Sequence, residues 1–217
     1  MKNIDAVIFD LDGTLIDSAP TIADALGKVR MARGGNGADI GLVRRLISHG
    51  AATLVSTVLG EFATDVQSDL VEFRRVYGAI KPDPAHLYPG TVDMLRTLRS
   101  DGRRLGICTN KPQVLTEGIV RTLSLEKYFS AVVGGGGCPY TKPHPGPVFA
   151  TLDRMNAVPE NAVFIGDSEV DAAAAAAAGV PFVLVSFGYA IGRLEDMPHA
   201  ALIDRFNQLP SALKVIS

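Results

Sequence analysis

Apolar, β-branched runs that stop abruptly at short polar side chains constrain this chain more than any other feature. Ile4-Asp-Ala-Val-Ile-Phe9 ends in Asp10-Leu-Asp-Gly13, and Arg104-Leu-Gly-Ile-Cys108 ends in Thr109-Asn110. Ala162-Val-Phe-Ile165 ends in Gly166-Asp167, and Phe182-Val-Leu-Val-Ser186 ends in Phe187-Gly188. A shorter fifth run, 131–133, precedes the glycines at 134–137. Short apolar runs closed off by turn residues are the pattern of parallel strands buried on both faces. Helical spacing fills the gaps between them. Val92, Leu95 and Leu98 predict a helix over 89–100, and Leu115, Ile119 and Leu123 one over 112–123. Two more are expected over 147–155 and 169–178, the last stopped by Gly179. Strand and helix in alternation imply right-handed crossovers and an α/β fold: a Rossmann-like parallel sheet with helices on both faces.

Residues 16–84 break that rhythm. They hold no strand pattern and read as amphipathic helices over 20–32, 40–47, 52–59 and 66–80. Gly34-Gly35-Asn36-Gly37 and Ser48-His49-Gly50 punctuate the segment, and Lys81-Pro-Asp-Pro84 is a stiff exit from it. The expected organisation is therefore a core made of 1–15 and 85–217, with an all-helical domain inserted at 16–84. A chain of 217 residues is long enough for both.

The composition excludes several functions. Lys and Arg total 21 against 23 Asp and Glu, a formal net charge of −2, which supports neither nucleic-acid nor membrane-surface binding through bulk charge. A membrane span needs ~18 uninterrupted apolar residues, and the longest such run, the alanines at 172–178, falls far short. Cys108 and Cys138 form neither a disulfide framework nor a spaced metal cluster. The first residues lack the features of a signal peptide, so a cytoplasmic location is expected.

If the runs are parallel strands, then Asp10, Asp12, Thr109, Asn110 and Asp167 converge at their carboxyl ends, where open α/β sheets bind ligands. Core strands have no stability reason to end repeatedly in carboxylates. Mutual repulsion there costs free energy unless a cation sits among them. Oxygen ligands of this kind favour Mg2+.

Asp10-Leu-Asp-Gly-Thr14 resembles the opening motif of the haloacid dehalogenase superfamily in its phosphatase form. Thr109-Asn-Lys-Pro112, Thr141-Lys-Pro143 and Gly166-Asp-Ser-Glu-Val-Asp171 resemble its second, third and fourth motifs. The resemblance implies that Asp10 attacks phosphorus to give an aspartyl-phosphate, while Asp12 protonates the leaving alkoxide and then deprotonates the attacking water. It implies that the backbone at Leu11 and Asp12, together with Thr109, Asn110 and Lys142, holds the phosphoryl oxygens. Thr109 and Asn110 also suit a helix N-cap, and the role of Lys111 stays open. Lys142 would neutralise the nucleophile and the transferring group. The resemblance implies a magnesium site made of Asp10, the backbone carbonyl of Asp12, and Asp167. Asp171 would ligate directly, act through water, or orient Ser168 and Lys142.

The helical insertion stands where the family carries a cap domain. Ser18-Ala-Pro20, Tyr88-Pro-Gly90 and Thr109-Asn-Lys-Pro112 are most similar to phosphoglycolate phosphatases, which implies 2-phosphoglycolate, a small phosphorylated metabolite, as the first substrate to try. Leu46-Ile-Ser-His-Gly-Ala51 resembles their specificity loop, with Ser48 where a glycine is common. Ser48, His49 and Gly50 are thus candidate specificity residues, against plain surface as the alternative. Arg44 and Arg45 suit a solvated helix face or a substrate carboxylate. A sugar phosphomutase and a phospho-ligand binding or regulatory module are the competing readings, and the chain is equally compatible with a monomer or a homodimer.

Overall fold

The first strand, β1 (Ala6–Phe9), is buried at all four positions, as its uninterrupted apolar sequence requires. It lies at the centre of a six-stranded sheet with β2 (Arg104–Pro112), β3 (Ala131–Gly135), β4 (Ala162–Gly166), β5 (Phe182–Val185) and β6 (Ala201–Ile203). The spatial order is β3-β2-β1-β4-β5-β6, and every pairing is parallel. The structure, a computed structural model, describes residues 4–216. The strand order reverses at β1, whose neighbours β2 and β4 both come later in the chain. The carboxyl ends of β1, β2 and β4 therefore frame the crevice where such sheets bind ligands.

Helices cover both faces. On one, α7 (Gly146–Met155) and α8 (Glu169–Ala177) close a core of Ala6, Ile8, Cys108, Phe164, Phe182 and Leu184. The alanine tract serves this packing: Ala172, Ala174 and Ala175 are buried, and their small side chains bring α8 close to β4 and β5. On the other, α5 (Thr91–Ser100) and α6 (Gln113–Thr122) lie over β2 and β3, with Leu95, Leu98, Ile119 and Val120 buried. The sequence patterns did not reveal β6 or α9 (Leu209–Ile216). The strand has only three residues, and Leu202 at its centre faces solvent at the sheet edge.

The chain divides into two compact units, one made of the residues up to 17 with those from 87 onward, the other of 18–86. Ile16 stays with the sheet because it bridges to Asp12 and to Leu87, while the Leu15 carbonyl accepts from Tyr88 N and from the Thr91 hydroxyl. The second unit is all helical: α1 (Ala19–Ala32), α2 (Ile40–Leu46), α3 (Ala51–Leu59) and α4 (Val66–Ala79). Asp39 and Asp65 cap α2 and α4 by accepting from Gly41 N and Ser68 N. Leu26, Val43, Leu54, Val58, Leu59 and Phe73 fill its interior. Asp69 is buried there, held by Arg33 at 2.7 Å and by the Thr64 amide and hydroxyl at 2.9 and 2.8 Å. Burial pushes its carboxyl upward, but those hydrogen bonds prevail and hold it below the usual carboxylate range.

Candidate active site

Each chemically important side chain hangs from the end of a buried strand. Asp10 follows Phe9 directly, and its amide donates to the Ile165 carbonyl at 2.9 Å, so the sheet fixes its backbone. Asp167 follows Gly166 at the end of β4. Gly13 turns the intervening loop with φ +84°, and a Cβ on it would lie 2.2 Å from Asp167 Oδ2. Only glycine satisfies both demands. Gly188 is required for the same reason on the opposite side, where a Cβ would lie 2.2 Å from the Asp167 Cβ. The Asp167 carboxylate is clamped between the Thr14 hydroxyl at 3.2 Å and the Tyr189 amide at 2.6 Å.

Lys142 crosses the centre of the site. Its ammonium donates to Asp10 Oδ1 at 2.9 Å, Asp171 Oδ1 at 2.6 Å and the Cys108 carbonyl at 2.9 Å. Three acceptors match the three hydrogens of a lysine, and the residue is only 4% exposed. Asn110 braces its backbone from both sides, donating to the Lys142 carbonyl at 2.9 Å and accepting from its amide at 2.8 Å. The Lys142-Pro143 peptide is cis. Asp171 forms a capping box with Ser168 at the start of α8, accepting from the Ser168 hydroxyl at 2.7 Å. Its carboxylate also receives the amides of Asp167 and Ser168 at 3.3 and 3.2 Å. Asp171 is thus the side chain that ties Lys142 to the helix.

The second motif departs from the capping arrangement that its sequence permits. β2 runs on through Pro112, and Pro112 itself is the N-cap of α6, without a side-chain cap. Thr109 and Asn110 therefore do not cap α6. The β2–β3 register shifts between Cys108 and Pro112, an irregularity that re-aims the side chains of Thr109, Asn110 and Lys111. Thr109 is buried and accepts from Lys111 N at 3.3 Å. Lys111, whose role the sequence leaves open, bonds both oxygens of Asp12 at 2.9 and 3.0 Å. Leu11 is fully buried, and its carbonyl closes the loop by accepting from Leu15 N and Ile16 N.

These groups interact strongly. Burial raises the Asp10 carboxyl to about 6; Lys142 opposes that rise, and Asp171 and Asp12 add to it. Burial, then the charges of Asp171 and Asp10, push Asp167 far above the usual range. Burial alone would lower Lys142, but Asp10 and Asp171 outweigh it and keep the amine charged. Burial pushes the Cys108 thiol up to about 12, which leaves it inert. Oxygens of Asp10, Asp167 and Asp171 lie within 4.8 Å of one another. Three buried carboxylates around one ammonium are a donor set that a hard divalent cation fits. Asp10 and Asp167 would hold it, since the Asp171 carboxylate already serves Lys142 and Ser168.

Sequence reasoning missed Thr14 and Tyr189 as the clamp on Asp167 and Lys111 as the partner of Asp12. The register shift after Cys108 was not readable from residue types, whereas Lys111 stands inside a recognised motif. Ser48 and His49 stand in a single 3-10 turn at Ile47–His49 within the helical unit, followed by Gly50 at φ +90°. Arg44 and Arg45 are exposed on α2. Among the described residues no helix is long and apolar enough to cross a membrane.

A family model described as haloacid dehalogenase-like hydrolase matches residues 4–179. A phosphoglycolate phosphatase of Cereibacter sphaeroides is 38% identical, over 96% of this chain and 97% of its own length. One of Salmonella typhi is 36% identical, over 98% and 94%. A crystal structure of a predicted phosphoglycolate phosphatase from Haemophilus somnus superimposes with a TM-score of 0.84 at 27% identity, covering both chains completely.

Proposed function

We propose, from the premise that this chain belongs to the haloacid dehalogenase-like hydrolases, that it is a magnesium-dependent phosphatase of small phosphate monoesters, with 2-phosphoglycolate as the preferred substrate. The observation that carries this reading is Asp10, a buried carboxylate at the end of β1 oriented by the Lys142 ammonium at 2.9 Å, with Asp12 two residues on. The names of the curated relatives support the choice of ester.

In the first half of the reaction an Asp10 oxygen attacks phosphorus. The bond from phosphorus to the ester oxygen breaks, its electron pair leaves with that oxygen, and Asp12 supplies the proton. In the second half, water attacks the phosphorus of the aspartyl-phosphate, the Asp10 carboxylate departs, and Asp12 takes up the proton of the water. Thr109 and the backbone at Leu11 and Asp12 hold phosphoryl oxygens. Lys142 fixes the nucleophile and offsets its charge throughout. A magnesium ion held by Asp10, Asp167 and the Asp12 carbonyl would offset the phosphoryl charge. The helical unit, residues 18–86, acts as a cap that excludes water, with Ser48, His49 and Gly50 selecting the substrate.

The test is phosphate release from a panel of small esters, 2-phosphoglycolate included, with magnesium or with chelator. Release should need the cation, favour 2-phosphoglycolate and vanish in Asp10→Asn. A folded protein that releases nothing from any ester overturns the reading.

A further inference from the structure

We propose that Lys111 is a positioning residue that holds Asp12 as the base for the second half of the reaction; this rests on the phosphatase reading above. Its Nζ bonds both Asp12 oxygens, at 2.9 and 3.0 Å, and the two side chains are only 6% and 17% exposed. Asp12 sits on a tight loop, where a two-torsion side chain can swing among several rotamers. One donor across both oxygens selects one of them. Each Asp12 oxygen accepts from the ammonium and keeps a lone pair for the incoming proton.

Lys111 is itself held rigidly. Its amide donates to Thr109 Oγ1 at 3.3 Å, and its carbonyl accepts from Thr116 Oγ1 of α6 at 3.2 Å. A Cβ on Gly134 would lie 2.8 Å from that carbonyl, so β3 has a glycine where the Lys111 backbone passes closest. Lys142 cannot do this work, because its three hydrogens face Asp10, Asp171 and the Cys108 carbonyl.

In the step concerned, the water oxygen bonds to phosphorus and the bond from phosphorus to the Asp10 oxygen breaks. Its electron pair returns to Asp10, the proton of the water passes to Asp12, and inorganic phosphate leaves. A displaced Asp12 slows this step, whereas loss of a good leaving group such as 4-nitrophenolate needs no proton.

The experiment is rapid-quench kinetics of 4-nitrophenyl phosphate with saturating magnesium. In Lys111→Met the first turnover should release 4-nitrophenol at the wild-type rate, followed by a steady state ~10- to 100-fold slower than wild type. Lys111→Arg should recover most of the steady-state rate. Lys111→Gln, similar in length but uncharged, repeats the comparison should the Met variant not fold. Equal loss of first turnover and steady state, or no loss of either, overturns the proposal. If wild type gives no release, or Asp10→Asn still gives a first turnover, the phosphatase reading itself fails and the Lys111 proposal falls with it.

Discussion

Replacing Asp10 by Asn should stabilise the cation-free protein while abolishing catalysis. The Asp10 carboxyl lies at about 6 against an ordinary 3.8, chiefly because burial penalises its charged form. Its folded-state value is raised, so its contribution to stability is complete below about pH 4 and is lost as pH climbs through about 6. At pH 7 the wild-type protein carries the full penalty. Roughly two units at 1.36 kcal/mol each set it at about 3 kcal/mol. Asn keeps the shape and remains uncharged, and Lys142 retains Asp171 and the Cys108 carbonyl as acceptors. Near this chain length each kcal/mol shifts Tm by ~2–4 °C, so Asp10→Asn should melt ~6–12 °C higher in chelator at pH 7. The gap should close by pH 4, and magnesium should narrow it at pH 7 by stabilising wild type alone. Thermal unfolding followed by circular dichroism at both pH values makes the comparison. An Asn variant that melts lower at pH 7 in chelator, or a gap independent of pH, would refute the reasoning.

Two other substitutions test the buried charges separately. Lys142→Met leaves Asp10 and Asp171 without their cation, which should cost about 3–5 kcal/mol in chelator and nearly all turnover; a melting temperature within 2 °C of wild type would mean that the ammonium contributes no net stability. Arg33→Ala removes the ion pairs to Asp69 and Glu72 in the helical unit while the Thr64 bonds to Asp69 remain. With Arg33 partly exposed the cost should be about 1–3 kcal/mol, read as faster amide exchange in α1 and α4 with β1–β5 unchanged.

Most of the sheet was legible because a doubly buried strand must be apolar along its length and must stop where the turn begins. Ala6–Phe9 and Ala162–Gly166 satisfy that rule without exception. The alanines of α8 were legible for a related reason, since small side chains are what close approach to a sheet requires. β6 was not, because a three-residue edge strand has too few positions to establish a period. In the site, Asp10, Thr109, Lys142 and Asp167 could be anticipated from strand ends and motifs. Their partners could not. Asn110 reads as a cap or a phosphate contact, yet here it braces the Lys142 backbone across 32 residues of sequence. Tyr189 lies 22 residues beyond Asp167, and the bond it makes uses its amide, which every non-proline residue has. A backbone donor leaves no trace in side-chain chemistry.

Lys111 and Lys142 look interchangeable in the sequence, each standing directly before a proline. The structure separates them by what their hydrogens face. Lys142 is committed to Asp10, Asp171 and the Cys108 carbonyl, so it acts through fixed charge and orientation. Lys111 faces Asp12. Asp10, Asp12, Asp167 and Asp171, fully ionised, oppose these two ammonium groups, which leaves two formal negative charges. One divalent cation offsets them. A fully ionised site without it would repel a phosphate dianion, and burial would strengthen the repulsion because the dielectric is low. On the proposed reading phosphate affinity should therefore depend on the cation, and by reciprocity the phosphate should tighten the cation by the same factor. The raised carboxyl of Asp10 belongs to the same balance. Asp10 is costly to ionise in the empty site because burial penalises its charge, and on the proposed reading a bound cation would offset that cost, coupling the attack to the metal.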